Sequence, residues 1–312
     1  PLGRMVGLCG VSGSGKSSLL YDVLYKNIVH EKNNKNKKNK LVNVSEIKGI
    51  ENINRVVIID QSPIGRTPRS NPATYTGIFT PIRDFFASLP ESKERAYSLS
   101  RFSFNRAGGR CEACQGAGAN LIEMHFLPAV LVECEVCGGR RFNRETLQVE
   151  YKGHNISDVL NLSVDEAIKL FDGNYYITDK LNILQSVGLG YLKLGQSATT
   201  LSGGEAQRVK IAKELTYVLG QKTLYLLDEP TTGLHYHDIS VLLKVLNKLV
   251  DKGNTVITIE HNMHMLKSMD YLIDLGPDGG EQGGYLLAQG EPEDLIRNDK
   301  SITGKYLKTY LK

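Results

Sequence analysis

A glycine-rich loop directly after an apolar segment restricts the fold of this chain more than any other feature. Residues 10–17, GVSGSGKS, match the pattern G-x-x-x-x-G-K-[ST] at every fixed position. The apolar residues 4–9 before the loop are typical of a buried strand, and the residues from Ser18 to about His30 favour a helix. A strand, this loop and a helix in that order predict a phosphate-binding (Walker A) loop in an α/β domain.

The predicted loop would bind a nucleotide through its backbone and through two side chains. Glycines let backbone N–H groups approach phosphate oxygens, and the start of the following helix adds positive potential. We expect Lys16 to reach the β- and γ-phosphates of ATP and Ser17 to be a ligand of Mg²⁺. The residues of this loop expected to contact the nucleotide are Gly10, Ser12, Gly13, Ser14, Gly15, Lys16, Ser17 and Ser18.

A second acidic motif ends an apolar run later in the chain. The segment LYLLDEP, residues 224–230, predicts a buried strand that ends at Asp228 and Glu229. Ligands of α/β proteins collect at the carboxyl ends of such strands. We therefore expect Asp228 to hold Mg²⁺, directly or through water, and Glu229 to orient or deprotonate the attacking water.

The pattern after Thr199 alternates helices with buried strands. A glycine turn and helix begin at LSGGEAQ, residues 201–207, and apolar strands are predicted around 223–228, 254–261 and 271–277. This alternation predicts an α/β domain with a mainly parallel sheet. Ser202, Gly203 and Gly204 open the helix and predict a second anion site. One phosphate chain does not need two such sites, so we expect these residues to bind a nucleotide held across an interface.

Four of the five cysteines form two C-x₂-C pairs in the middle of the chain. Cys111, Cys114, Cys134 and Cys137 have the spacing C-x₂-C-x₁₉-C-x₂-C, which predicts a structural zinc site with no open ligand position. Glycines close after each pair (Gly116, Gly118, Gly138 and Gly139) would free backbone N–H groups to turn towards thiolates. Four reduced core cysteines are the alternative, which the polar flanks disfavour. Cys9, the fifth, is expected to be a small buried strand residue.

Arginine and phenylalanine are interleaved around these cysteines. Phe102, Phe104 and Phe142 accompany the arginines of residues 101–144, a combination suited to phosphate contact and to base stacking. A zinc-stabilised surface lobe without DNA contact is the alternative. The residues predicted to contact DNA are Arg66, Arg69, Arg101, Arg106, Arg110, Arg140, Arg141 and Arg144.

The order of the motifs resembles that of ABC-type ATPases. The Walker A loop, Gln61 after the apolar segment 55–60, LSGGEAQ, LLDEP, and His261 after VITIE follow one another along the chain. The resemblance implies that the signature helix of one nucleotide-binding unit caps ATP on the Walker loop of another. It also implies that Gln61 corresponds to the glutamine that senses Mg²⁺ and the γ-phosphate, and that His261 corresponds to the switch histidine, which contacts the γ-phosphate.

A longer set of segments resembles the UvrA family, the damage-sensing ATPases of bacterial nucleotide excision repair. This resemblance implies the C-terminal of two nucleotide-binding halves, with ATP, Mg²⁺ and Zn²⁺ as cofactors. The implied partners are damaged double-stranded DNA, UvrB through the full-length protein, the other nucleotide-binding half and a second protomer, all in the cytoplasm. The segments are DQSPIGRTPRSNPATYTG (60–77), FNRAGGRCEACQGAG (104–118), EMHFLP (123–128), NRETL (143–147), GLGYLKLGQSATTLSGGEAQRVK (188–210) and LDEPTTGLH (227–235).

Three parts are expected along the chain, which we take for a fragment of a longer protein. Residues 1–80 and 201–312 would form the ATP-binding core, and residues 81–200 a helical signature region with the zinc insert at about 101–144. The tract EKNNKNKKNK, residues 31–40, is expected to be a solvated surface loop, and we assign it no function.

Composition excludes some function classes and leaves two alternatives. No apolar run approaches the roughly 18 residues that cross a bilayer, and no secretory signal is evident. The net charge of +4 is weak evidence for a polyanionic partner. The alternatives to a damage-recognition ATPase are the ATP-binding subunit of another ABC-type machine, and a zinc-stabilised binding module with a regulatory ATP site.

Overall fold

The computed structural model describes residues 1–33, 41–124, 127–216 and 222–311. Most of the polar tract at 31–40 lies outside the described residues, as do residues 125–126 of the segment EMHFLP. The chain divides into two compact units. Unit 1 comprises Pro1–Gln61 and Val218–Lys312, and unit 2 comprises Ser62–Tyr217.

The strands of the described residues are numbered in chain order. They are β1 (Met5–Gly10), β2 (Arg55–Ile59), β3 (Ala119–Met124), β4 (Leu127–Glu133), β5 (Glu150–Tyr151), β6 (His154–Asn155), β7 (Thr223–Asp228), β8 (Thr255–Ile259), β9 (Tyr271–Gly276) and β10 (Tyr285–Gly290).

The helices are numbered in the same way, and no described helix is both long and apolar enough to cross a membrane. The α-helices are α1 (Lys26–Asn33), α2 (Pro72–Tyr75), α3 (Phe79–Ser88), α4 (Pro90–Glu94), α5 (Arg144–Leu147), α6 (Ile156–Asn161), α7 (Val164–Leu170), α8 (Tyr175–Ser186), α9 (Gly203–Thr216), α10 (Tyr236–Asp251), α11 (Met263–Leu266), α12 (Pro292–Arg297) and α13 (Ile302–Leu307). A π-helix spans Ser18–Tyr25, and short 3₁₀ turns span Ile50–Asn52, Leu99–Phe102, Ala198–Thr200 and Gly280–Gln282.

Six strands form the sheet of unit 1, in the order β10-β9-β1-β8-β7-β2. Every neighbouring pair is parallel except β9 and β10, which are antiparallel. The mainly parallel sheet predicted from the sequence is therefore present. Because parallel strands end at the same edge of a sheet, the segments that follow β1, β2, β7 and β8 all begin at one edge.

Continuous burial explains why these apolar segments form parallel strands. All six residues of β1 and the first five of β7 are buried, as expected for strands covered on both faces. The predicted amphipathic helix is α10, which packs against β8 and β1. Its five buried aliphatic side chains contribute about 1.5–3 kcal/mol each. They are Ile239, Leu242, Val245, Leu246 and Leu249.

The helix predicted after the glycine loop is present in two parts. The wider π-helix Ser18–Tyr25 follows the loop, and α1 continues from Lys26. Leu20 of the π-helix is fully buried in a core cluster with Leu8 of β1 and Ile259 of β8. This apolar contact holds the start of the helix against the sheet, at the end of the loop where phosphate would bind.

Unit 2 is mainly helical, and aromatic rings form part of its core. The ring centroids of Phe79 and Phe104 lie 5.1 Å apart, and those of Phe85 and Phe171 lie 5.5 Å apart in an edge-to-face arrangement. The predicted strand around LQVEYKG is limited to the two-residue pairing of β5 with β6. This aromatic core supports the segment that bears the cysteines, because Phe104 lies just before the first pair.

Candidate nucleotide and metal sites

The glycine loop joins β1 to the π-helix, and its geometry fits a phosphate chain. Lys16 is buried, and its Nζ donates to the carbonyl oxygens of Gly10 and Val11 at 3.0 and 2.7 Å. Burial lowers the pKa of this ammonium below its ordinary value. Within the described residues, Ser14 Oγ is buried and has no hydrogen-bond partner. A buried hydroxyl without a partner costs free energy, and an oxygen-rich anion in the loop would satisfy it.

Backbone geometry restricts the loop to glycine at its first position. Gly10 has φ of +129°, and a Cβ there would lie 1.9 Å from the carbonyl oxygen of Leu275. Any side chain would therefore push β1 away from β9. The other predicted nucleotide contacts lie on the loop or at the start of the following helix. They are Ser12, Gly13, Gly15, Ser17 and Ser18, of which Ser17 and Ser18 are exposed.

The acidic pair lies at the end of β7, as the motif predicted. Tyr21 of the π-helix donates its hydroxyl to Asp228 Oδ2 at 3.0 Å. Burial raises the pKa of Asp228 above its ordinary value, and the Tyr21 hydrogen bond opposes this shift. Glu229 has φ of +42°, a left-handed conformation that is strained for a residue with a side chain. Its backbone N–H donates to the carbonyl of Ile259 at 3.0 Å, which holds the turn against β8.

The predicted switch histidine faces the predicted general base. His261 Nε2 lies 3.6 Å from Glu229 Oε1, and both side chains are about half exposed. Burial, followed by the positive charge of Lys16, lowers the pKa of His261. This shift favours the neutral imidazole, which can both accept and donate a hydrogen bond. Gln61 is partly buried and follows β2 at the same edge of the sheet.

A buried glutamate that the sequence analysis did not single out joins these segments. Glu260 is 1% exposed, and its backbone N–H donates to the carbonyl of Leu8 at 3.1 Å. Its carboxylate accepts from the hydroxyl of Thr231 at 2.9 Å and from the backbone N–H groups of Thr231, His261 and Asn262 at 3.3, 3.1 and 3.3 Å. Burial raises the pKa of Glu260 to about 7, although these hydrogen bonds oppose the shift.

Tyr21 and Glu260 are thus the two residues at this edge that motif reasoning missed. Glu260 could have been noticed as an acid at the end of an apolar strand, directly before His261. Tyr21 gave no such signal, because its contact with Asp228 depends on the π-helical start of the helix.

The predicted signature residues lie in unit 2, at the start of α9. Ser202 and Glu205 form a capping box: Ser202 N–H and Oγ donate to Glu205 Oε2 at 2.8 and 3.0 Å, and Glu205 N–H donates to Ser202 Oγ at 3.2 Å. Tyr191 also donates to Glu205, at 2.9 Å. Gly203 and Gly204 form the first turn of the helix.

The four paired cysteines converge on one point of unit 2. Their sulfur atoms all lie within 4.8 Å of one another, with Cys111 Sγ 4.0 Å from Cys134 Sγ and Cys114 Sγ 3.7 Å from Cys137 Sγ. Thiolates about 2.3 Å from a tetrahedral zinc ion would have similar separations. The arrangement is therefore compatible with zinc, and it leaves no position for a further ligand. Cys9 lies in β1 and is fully buried, as predicted.

Glycines shape both turns around these sulfur atoms. Gly116, Gly118, Gly138 and Gly139 have φ between +52° and +80°. Gly118 N–H donates to Cys114 Sγ at 3.3 Å, which is the predicted use of such glycines. The 19 residues between the pairs contain the antiparallel hairpin β3–β4, which the sequence analysis did not foresee. Leu121, Val130 and Leu131 are exposed on this hairpin.

The arginines predicted to contact DNA differ in their surroundings. Four are exposed: Arg66, Arg106, Arg140 and Arg144. Arg69 is partly buried. Arg110 pairs with Glu112 at 3.0 Å, and Arg101 lies over the ring of Tyr97 at 4.4 Å and 3.9 Å from Glu145. Arg141 donates to the carbonyl oxygens of Pro68 and Gly195 at 3.1 and 3.3 Å, so its guanidinium bonds within unit 2.

The base-stacking interpretation of the three phenylalanines is wrong. Phe102 and Phe104 are 0% exposed and Phe142 is 1% exposed. Phe104 packs against Phe142 with ring centroids 6.1 Å apart. Their periodic placement between arginines reflects the core of unit 2, because a buried ring has no free face for a base.

Comparison with known proteins gives matches that cover the whole of this chain. The family model described as "ABC transporter" matches residues 141–232. UvrABC system protein A of Aquifex aeolicus (strain VF5) is 59% identical over an alignment covering 100% of this chain and 34% of that protein. The same protein of Rickettsia typhi (strain ATCC VR-144 / Wilmington) is 58% identical, with 100% and 32% covered. The chain thus spans about a third of the length of the curated relatives it matches.

A solved structure also matches the whole chain. The crystal structure of UvrA2 from Deinococcus radiodurans superposes with a TM-score of 0.91 at 49% identity, covering 100% of this chain and 37% of that one. The match confirms the predicted fold class, an α/β ABC-type ATPase with a mainly parallel sheet. It also supports the interruption of that fold by a helical region with a four-cysteine cluster.

We predict one zinc ion per chain, held by the four cysteines. Metal analysis of the folded, reduced protein should find about one zinc per chain, and Cys134→Ser should lose most of it, because three thiolates hold the ion less tightly. Cys9→Ala, which removes the cysteine of β1, should keep the metal. A folded wild-type sample without zinc would contradict the assignment.

We also predict that Glu260 makes the protein less stable as the pH rises. Its folded-state pKa of about 7 lies above the ordinary 4.5, so between these values the folded state binds the proton more tightly than the unfolded state. Relative to Glu260→Gln, the wild type should lose on the order of 3 kcal/mol of unfolding free energy from about pH 4.5 to above pH 7. Urea unfolding of both proteins at pH 5 and 8 measures this, and a pH-independent difference would refute it.

Proposed function

We propose that this chain, which belongs to the UvrA family, is the C-terminal nucleotide-binding half of a DNA-damage-recognition ATPase. It spans about a third of the length of the family members that it matches. In this proposal it binds ATP with Mg²⁺, hydrolyses it, and uses the cycle to sense lesions in double-stranded DNA during nucleotide excision repair. The full-length protein would load UvrB at the lesion, in the cytoplasm. It would itself be an ATP hydrolase and not the nuclease of the complex.

One observation supports the ATPase assignment above the others. Lys16, the adjacent pair Asp228 and Glu229, and His261 come from three separate parts of the sequence. Each part lies at or after the end of a parallel strand, at the same edge of one sheet. His261 and Glu229 approach within 3.6 Å there. A loop lysine and an acidic pair are groups that P-loop ATPases use for phosphoryl transfer to water. The resemblance to ABC-type ATPases adds the histidine.

Each of these residues has a separate task in the proposed reaction. Mg²⁺ bound with ATP would neutralise part of the phosphate charge. The residues proposed to hold this ion are Ser17, Asp228 and Gln61. Lys16 would direct its ammonium at the phosphates, together with the backbone N–H groups of the loop. Glu229 would accept the proton of the attacking water, while His261 would bind the γ-phosphate through a neutral imidazole.

A second nucleotide-binding half completes the proposed site. Ser202, Gly203 and Gly204 begin a 14-residue helix whose N-terminus offers backbone N–H groups and partial positive charge. We assign them to ATP held on the Walker loop of another half, either the N-terminal half of the same protein or that of a second protomer. The capping box of Ser202 and Glu205 fixes the start of this helix in the orientation it would present.

The four-cysteine cluster supports the DNA-repair role over other ABC-type machines. A transporter ATP-binding subunit has no need for a zinc-linked hairpin, whereas the exposed arginines near it suit phosphate contact. Arg106, Arg140 and Arg144 are exposed near the cysteines in sequence, and Arg66 is exposed after β2. We propose these four as DNA contacts. Arg101, Arg110 and Arg141 already have protein partners, so a contact of these residues or of the partly buried Arg69 with DNA would require their side chains to rearrange.

We predict that Glu229→Gln retains ATP without hydrolysing it. An amide cannot accept the proton of water, so turnover should fall by about 10²–10⁴-fold while ATP affinity stays within about twofold. ATP turnover and equilibrium binding of a fluorescent ATP analogue measure the two effects. Glu51→Gln, which changes an exposed glutamate in the same unit, is the matched control. Wild-type turnover in Glu229→Gln would contradict the role of this carboxylate.

We predict that DNA binding depends on nucleotide and on the arginines near the zinc cluster. Binding to undamaged and lesion-containing duplex should weaken as salt rises. Arg140→Ala combined with Arg144→Ala should reduce the slope of log K against log salt by about two. Cys134→Ser should weaken binding or lose lesion preference, whereas Arg297→Ala, which removes an exposed arginine of unit 1, should not. Binding indifferent to ATP and to Cys134 would assign DNA recognition to the rest of the full-length protein.

A further inference from the structure

We propose that Glu260 is a positioning residue for ATP hydrolysis, whose carboxylate links the segment bearing Glu229 to the segment bearing His261. This inference rests on the proposed ATPase function and adds a residue to its site. Among the described residues, the Glu260 carboxylate forms hydrogen bonds only with Thr231, His261 and Asn262, and with none of the residues of the glycine loop or the predicted metal ligands. It acts through the backbone of the two segments that follow β7 and β8.

The first link runs from Glu260 to the turn after β7. Thr231 donates to the carboxylate through its hydroxyl at 2.9 Å and through its backbone N–H at 3.3 Å. In the same turn, Thr232 donates its N–H to the carbonyl of Glu229 at 3.1 Å and its hydroxyl to Glu229 Oε2 at 3.4 Å. The place of the Glu229 side chain therefore depends on a turn that Glu260 anchors.

The second link runs from Glu260 to the segment after β8. His261 and Asn262 donate their backbone N–H groups to Glu260 Oε2 at 3.1 and 3.3 Å. Asn262 in turn accepts from the N–H of His264 at 2.9 Å and begins α11. The imidazole of His261 thus projects from a backbone that is bonded on both sides of it.

The carboxylate itself is fixed and sheltered from water. Glu260 is 1% exposed, and its own N–H donates to the carbonyl of Leu8 in β1, the strand that leads into the glycine loop. Among the described residues, no cationic side chain pairs with it. Four donors converge on one buried carboxyl group instead, and in its ionised form these hydrogen bonds are charge-assisted and therefore stronger than those between neutral groups.

The strained backbone of Glu229 explains why the hydrogen bonds from Glu260 to the turn after β7 would matter for hydrolysis. A left-handed glutamate persists only where its surroundings hold it, and the turn that holds it is tied to Glu260. If the tie loosens, Glu229 can relax, and the 3.6 Å approach to His261 Nε2 is lost. Nucleotide binding, which depends on the glycine loop and Lys16, should be affected much less.

The decisive variant is Glu260→Gln, assayed in the full-length protein because a second nucleotide-binding half completes the proposed site. The amide has the size of the carboxylate, but its NH₂ group cannot accept, so at least one N–H donor of Thr231, His261 or Asn262 loses its partner. We expect kcat for ATP to fall by about tenfold or more, with ATP affinity within about twofold of wild type. Thr231→Val should give a smaller loss, and the double variant should lose less than the product of the two, because the changes share one interaction.

A second readout needs no nucleotide. Amide hydrogen exchange in the segments 229–232 and 261–264 should quicken by about tenfold in Glu260→Gln, while exchange in β1 and α10 stays unchanged. Glu51→Gln should alter neither exchange nor kcat. A purely structural role would instead lower the melting temperature, quicken exchange throughout unit 1 and leave kcat of the folded fraction intact.

The outcomes separate this inference from the proposed function. If wild type hydrolyses ATP and Glu260→Gln does so equally well, or if exchange in the two segments is unchanged, the positioning role is overturned. If wild type binds no ATP, the proposed function fails, and local exchange still decides whether Glu260 ties the two segments together. A fall in kcat with unchanged affinity and locally faster exchange supports the positioning role.

Discussion

The parallel alignment of β2, β7, β8 and β1 is the constraint on which the candidate site depends. Each strand ends at the same edge, so residues as far apart in sequence as Lys16 and His261 lie there. The alignment is stabilised by β1 and β7, which are buried along almost their whole length, and by α10, which packs against β8 and β1. The chemistry at the edge could change without loss of the sheet, but loss of strand register would separate the catalytic groups.

Motifs predicted the edge of the sheet well, because each motif joins a strand end to a functional side chain. Lys16, Asp228 and His261 follow apolar runs whose burial was evident from the sequence, and the structure places all three at one edge. The sequence could not predict Glu260 or Tyr21 as partners, since their contacts cross between segments that meet only in the folded state. Motifs predict the candidate functional residues, whereas the residues that hydrogen-bond to them or to their backbone are found only from the folded structure.

In the region of the cysteines, the sequence predicted the cluster but not the structure between the two pairs. The sulfur cluster was predictable, because four ligands at that spacing have few other uses. The hairpin between the pairs was not, since Leu121, Ile122, Val130, Leu131 and Val132 are all exposed and do not alternate between a buried and an exposed face. A two-stranded hairpin is at best marginally stable in water, so the cluster at its base supplies the support that a core would give. The wrong interpretation of the three phenylalanines has a related cause. Aromatic residues interleaved with arginines indicate either a binding face or a core, and only their burial in the structure distinguishes the two.

The insertion of unit 2 between two neighbouring strands has a consequence for folding order. β2 and β7 pair from Arg55↔Thr223 onwards, yet the whole of Ser62–Tyr217 separates them in the chain. Closing so long a loop is entropically costly while it is disordered, and less so once its own structure has formed and shortened it. Unit 2 should therefore fold before the edge strand joins the sheet. Supply of the metal proposed for the cysteine cluster would then influence how quickly the nucleotide site of unit 1 assembles, although no cysteine of the cluster belongs to that site.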